Sequence, residues 1–178
     1  MRASAAHSVL VVADTNSVEI REDGTLGRAP SSIARERAEH EGQQWISATH
    51  DGYRGRFGLT YARQLFLAAD GEDIRGEERL TGRPGAAFAV RFHLHPSVQA
   101  SLAEDERAAL LRLPSGMLWR LRAAGTEVSL GESVYLGSGE ARKTQQVVLS
   151  GTVGPEGAAV RWALRLETKK GSTTSARH

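Results

Sequence analysis

The sequence predicts an all-β protein, an antiparallel layered β-sandwich. Two observations carry that expectation. Short apolar segments, many of them alternating apolar with polar residues, recur all the way to the tail, and turn signals rich in Gly, Pro and Asp fall between them. With 178 residues the chain is long enough to bury a substantial core as one domain without covalent staples.

The first apolar run is "HSVLVVAD" at 7–14. Arg2 precedes it, but the run is short, soon meets Asp14 and lacks a small-residue cleavage site beyond it, so it reads as a strand rather than a signal peptide. Segments 31–41, 43–51, 59–70 and 73–82 follow as strands, with "ADG" at 69–71 as a turn. In "FAVRFHLH" at 88–95, Phe88, Val90, Phe92 and Leu94 form an apolar side, and Arg91, His93 and His95 lie opposite.

The stretch "SVQASLAEDERAALLRL" at 97–113 admits two readings. Its helix formers, with Leu102, Ala109, Leu110 and Leu113 loosely spaced, suggest a short helix. The neighbouring "LLRLPSGMLWRL" reads instead as a hairpin, with strands at 109–114 and 117–125. Strands at 126–136 and 144–153 come next. Last is "VRWALRLE" at 160–167, where Val160, Trp162, Leu164 and Leu166 share one face and Arg161, Arg165 and Glu167 the other. Residues 168–178 read as a polar tail.

Composition closes several routes. Cysteine is absent, which removes disulfides, cysteine-based metal sites and a cysteine nucleophile. Net charge is +2, with 23 basic and 21 acidic residues dispersed along the chain, so no basic stripe or RNA-recognition motif points to nucleic acid. No window reaches the ~18 apolar residues of a membrane-spanning helix. "GYRGRFG" lacks the ending of a phosphate loop, and Ser138 in "YLGSGEA" does not sit in a G-x-S-x-G elbow.

Three histidine settings are candidate sites. His93 and His95 have the His-x-His spacing of zinc and copper sites, but Arg91 on the same face repels a cation and Pro96 ends the strand. A polar outer face bonded to neighbouring strands is the favoured reading, and a basic row touching an acidic sugar is the alternative. "THDGYRGRFGLTYARQLFL" brings together His50, Asp51, Tyr53 and several arginines, and a Tyr and a His can serve as base and acid in abstracting a proton beside a carboxylate. Because Asp51-Gly52 signals a turn, the same residues also read as a loop whose aromatic closes over the core. His7 stands alone before the first strand.

Taken in order, "AHSVLVVADTNSVEI", "HDGYRGRFGLTYARQLFLAADGEDIRGEERL", "FAVRFHLHPSVQASLA", "LLRLPSGMLWRLRA" and "VSLGESVYLGSGEARKTQQVVLSG" resemble the C-terminal domain of heparinase II/III family proteins. The resemblance runs from about Ala5 to Glu167. It implies a β-sandwich that follows an N-terminal α/α toroid in polysaccharide lyases, with an acidic, uronate-containing polysaccharide cleaved by β-elimination in the cleft between them. In such lyases a tyrosine and a histidine of the toroid do much of the acid and base work, and a His-x-His-x-Asp-like stretch opens the β domain. No residues of this chain match either part.

The resemblance therefore implies a truncated or separately encoded piece: residues 1–167 as the β-sandwich lacking its first strands, with no catalytic residue of its own and no turnover alone. His7 followed by Ser8 matches a family position that completes a metal site, which makes His7 the metal-ligand candidate. The divalent ion, zinc or calcium, is expected only in the intact protein. His50 and Tyr53 are the substrate-binding candidates, and the "FHLHP" motif falls on an architectural strand. Relatives with export signals imply a periplasmic parent. Two other readings stay open: a free-standing carbohydrate-binding or structural module, and a small enzyme built around His50 and Tyr53.

Overall fold

The computed structural model describes residues 3–104, 107–137 and 139–167, so the polar tail at 168–178 and Ser138 lie outside the described residues. The first half holds strands β1 (Leu10–Val12), β2 (Ile33–His40), β3 (Gln43–His50), β4 (Leu59–Leu67), β5 (Asp73–Gly82) and β6 (Ala87–His93). The second half holds β7 (Gln99–Leu102), β8 (Ala108–Arg112), β9 (Leu118–Ala124), β10 (Glu127–Tyr135), β11 (Arg142–Thr152) and β12 (Ala158–Leu166). One short helix, α1 (Arg54–Phe57), interrupts them and ends at Gly58, whose φ of 69° is the left-handed cap that glycine adopts without penalty. Strands dominate and every pairing is antiparallel, as the alternation predicts.

The strands form two sheets. One has four strands in the order β1-β6-β11-β10, and the other eight in the order β2-β3-β4-β5-β12-β9-β8-β7. Their facing sides make the core, with Leu10, Val12, Val90, Val147 and Leu149 from the smaller sheet and Leu80, Leu121, Val160 and Trp162 from the larger. The period-two pattern is the cause: Val160 and Trp162 are buried while Arg161 and Arg165 on the same strand are exposed. In β6, Phe88 and Val90 are buried on the same principle.

The helix alternative for 97–113 is overturned. Gln99–Leu102 is strand β7, paired with β8 in the register Ala100↔Leu111 and Leu102↔Ala109. Ala109 and Leu111 are buried, two residues apart, and β8 also pairs with β9, so a helix here would strip two ladders from the larger sheet. At the opposite edge, β2 is exposed along its whole length and carries alternating Arg and Glu, a charged edge that disfavours pairing with a second chain.

Candidate functional site

The residues singled out in "THDGYRGRFG" are brought together at one end of the larger sheet. β3 delivers His50, the Asp51-Gly52 turn leads into α1, and β4 returns with Tyr61 paired to His50. The His50 ring packs against Tyr53 at 5.7 Å and Tyr61 at 5.2 Å between centroids. Its Nδ1 accepts a hydrogen bond from the Gly52 amide at 3.1 Å, which places the ring proton on Nε2. Burial lowers the His50 pKa from its ordinary value, and the Asp51 carboxylate opposes that fall.

The loop between β1 and β2 closes over this end. Asp51 accepts hydrogen bonds from the Ser31 and Ser32 amides at 2.8 and 3.1 Å and from the Ser31 hydroxyl, contacts that depress its pKa. Arg28 reaches the Gly52 carbonyl, and a side chain at Gly52 would meet the Ser17 carbonyl oxygen at 2.6 Å. The backbone is thus pressed between loop and sheet.

Tyr53 faces inward. It is 1% exposed and its hydroxyl donates to the Leu10 carbonyl oxygen at 3.2 Å, so burial pushes its pKa up to about 12. The structure therefore places Tyr53 as the aromatic that closes over the core rather than as a surface offered to a glycan, and of the two candidates His50 alone keeps partial exposure.

The burial has a measurable consequence. A phenol whose folded pKa lies above its unfolded value near ~10 contributes stability that is complete below that pH and is lost as pH rises toward the folded pKa. Stability to urea is expected to fall between about pH 10 and pH 12, and Tyr53→Phe is expected to flatten part of that fall. An unchanged alkaline slope in the variant would refute the inward placement.

Beside this cluster lies one that the sequence did not single out. Glu78 is buried at 1% exposure on β5. It accepts from the Tyr61 hydroxyl at 2.5 Å, from Arg63 Nε at 2.9 Å to both oxygens, and from Trp162 Nε1 at 3.1 Å. Arg63 also donates to the Ser8 carbonyl at 2.9 Å and so ties the segment before β1 to the larger sheet. Burial first, then the Glu78 carboxylate, push the Tyr61 pKa upward, while Glu78 offsets the desolvation that would discharge Arg63. Arg63 Nη2 lies 2.8 Å from Glu78 Oε1, so the two charges neutralise each other, which marks a structural cluster.

His93 and His95 have structural partners. His93 shares a hydrogen bond with Ser133 Oγ at 2.7 Å and another with the Ala5 carbonyl at 3.0 Å, and His95 bonds Ser97 Oγ at 2.7 Å and stacks edge-on against Tyr135. Arg91 pairs with Asp14 at 3.0 Å. The basic row is thus engaged within the chain, as an architectural strand requires. His7 is exposed just before β1, and no group of three or more His, Asp or Glu able to hold a metal occurs among the described residues. One imidazole does not make a zinc or calcium site.

Comparisons with known proteins accord with this geometry. The family model described as Heparinase II/III-like, C-terminal matches residues 1–163. The chain is 41% identical over 146 residues to FtsZ-localized protein C of Caulobacter vibrioides, an alignment covering 75% of this chain and 25% of that protein. Among solved structures, a mutant of the heparan sulfate lyase HepC from Pedobacter heparinus superposes with a TM-score of 0.71 at 11% identity, over 94% of this chain and 25% of that one. The heparinase III-BT4657 gene product gives 0.69 at 12% identity over the same shares. At such identities the superpositions show the fold, and the chain spans about a quarter of the length of each relative. By the match over nearly its whole length, the chain belongs to the heparinase II/III-like C-terminal domain family.

Proposed function

We propose that this chain is the C-terminal β-sandwich of a longer heparinase II/III-like polysaccharide lyase, and that it has no turnover by itself. The reaction inherited from such relatives would be β-elimination of a uronate-containing glycan. A base takes the C5 proton, the carboxylate charge is neutralised, the double bond forms to C4, and the departing C4 oxygen receives a proton.

The observation that supports the division of labour is the inward closure around His50. Tyr53 and Tyr61 are both buried and hydrogen-bonded within the chain, so the phenols nearest the imidazole do not reach a bound sugar. Lowering the barrier by at least ~8 kcal/mol needs a base, an acid and a carboxylate partner held together. An N-terminal α/α toroid in the longer protein would supply the missing pair, and His7 would be one ligand of its zinc or calcium ion. Such a protein would work in the periplasm.

The test measures ultraviolet absorbance of the unsaturated uronate with a panel of acidic glycans. No product is expected from the chain alone, and product is expected when the longer protein is assayed. Turnover by the isolated chain that disappears in His50→Ala or Tyr53→Phe would overturn this reading in favour of a small enzyme.

A further inference from the structure

We propose that the outer face of the eight-stranded sheet, the side turned away from the four-stranded sheet, carries a binding platform for an acidic oligosaccharide built on Trp45, Phe66, Arg75 and Arg122. These residues come from four strands. The register Trp45↔Phe66, Phe66↔Arg75, Arg75↔Ala163 and Ala163↔Arg122 sets them in one row across β3, β4, β5, β12 and β9. At about 4.8 Å per strand the row runs about 19 Å.

Along it lies an open groove of about 560 Å³. Its floor is flat because Ala163 and Ala124 carry no more than a methyl group and because Gly76 and Trp162 present only backbone on this side, the Trp162 ring lying across the inner face of Gly76. Trp45 stands at one end, 38% exposed, with its ring 5.2 Å from Phe66. The Arg75 guanidinium lies 5.4 Å over the Phe66 ring.

The chemistry selects an anion with a flat apolar face. Three guanidiniums, Arg75, Arg122 and Arg161, line the groove against one carboxylate, Glu77. Arg75 is paired with Asp73 and Arg161 with Glu77, whereas Arg122 has no ion pair among the described residues. A guanidinium matches a carboxylate or sulfate through two parallel hydrogen bonds, and an exposed indole offers the large flat surface on which a sugar ring packs. Such an apolar patch with a basic rim is a feature of binding faces.

An extended peptide suits the groove less well. Peptides that dock on sheets add a strand at an edge and use its free backbone groups, whereas the strands under the groove, β3, β4, β5, β12 and β9, are each already paired on both sides. An oligosaccharide crossing the strands keeps its hydroxyls in water and needs no backbone partner.

The nature of the ligand rests on the reading of the chain as part of an acidic-glycan protein, while the position of the groove does not. The experiment is calorimetry with the full chain and four probes: a heparin tetrasaccharide, a galacturonate tetramer, neutral cellotetraose and a glutamate decapeptide. Binding of at least one acidic sugar is expected, with none of cellotetraose or the peptide, and affinity is expected to weaken as salt rises. Trp45→Ala and Arg122→Glu should each weaken that binding about tenfold or more with an unchanged unfolding midpoint. Arg142→Glu, on the other sheet, should leave it unaltered.

Absence of acidic-sugar binding, or binding indifferent to Trp45→Ala and Arg122→Glu, would overturn the proposal. Equal binding of cellotetraose would remove the role of charge, and peptide binding lost in the same variants would make the groove a protein-docking face; either result rejects an acidic-sugar platform. Failure of the lyase reading is separately visible. A longer protein with Trp45-dependent binding and no elimination product would remove the lyase and leave the platform, and turnover without such binding would do the reverse.

Discussion

Glu78→Ala is expected to destabilise the protein by about 3–5 kcal/mol. In a domain of this size that lowers the thermal midpoint by roughly 6–20 °C. The truncation leaves the Arg63 guanidinium without its carboxylate, and it removes the acceptor of the Tyr61 hydroxyl and of the Trp162 indole. A charge stranded in the interior costs far more than a satisfied pair contributes, so removing both partners should be milder than removing one. Glu78→Leu combined with Arg63→Met is therefore expected to recover much of the loss. Urea unfolding of the single and double variants decides the matter. A single variant within about 1 kcal/mol of the parent would show that water reaches the cluster and that the carboxylate is dispensable.

Gly76→Ala is expected to cost at or above the upper end of the usual overpacking range of about 1–3 kcal/mol. A methyl group there would stand 2.2 Å from Trp162 Cε2 and 2.3 Å from Cζ2. The indole cannot easily give way, because its Nε1 is held by Glu78 and its ring stacks edge-on against Phe92 at 4.9 Å. Either the ring leaves its place or β5 and β12 separate. Denaturant unfolding reads the cost, and intrinsic fluorescence reads the ring. In a Trp162→Leu background the same substitution should become nearly neutral, since the obstructing atoms are gone. If Gly76→Ala stays within about 0.5 kcal/mol of the parent, the packing described for Trp162 is wrong.

Parity explains why so much of the sheet was legible in the sequence. In β12 and β6 one face meets the core and the other meets water, so the alternation of Val160, Trp162 and Leu164 with arginines is written along each strand. β7 escaped because only four residues pair and those around them are good helix formers; Gln99–Leu102 could be placed as strand only by the partner it meets in β8. α1 escaped because it is a single turn between two strands.

At the candidate site, sequence proximity assembled His50, Asp51 and Tyr53 correctly but left open which way the phenol turns. That was decided by the Leu10 carbonyl, 43 residues earlier in the chain. Glu78 gave a weaker signal. Its parity with Ile74 and Leu80 put a carboxylate on the buried face, an arrangement that makes sense only once Tyr61, Arg63 and Trp162 are seen to converge on it.

By itself, then, the chain of residues determined the fold class, the positions of eleven of the twelve strands and the family, because each is encoded in local alternation, turn chemistry and the order of motifs. Only the tertiary structure decided which strands are neighbours. By inserting β12 between β5 and β9, it brought Arg161 and Arg122 beside Arg75 and Trp45, and it set the Trp162 indole on the carboxylate of Glu78. The physical reason is that side-chain direction follows from a strand's own periodicity, whereas the partner across the ladder is chosen by burial and hydrogen bonding over the whole chain.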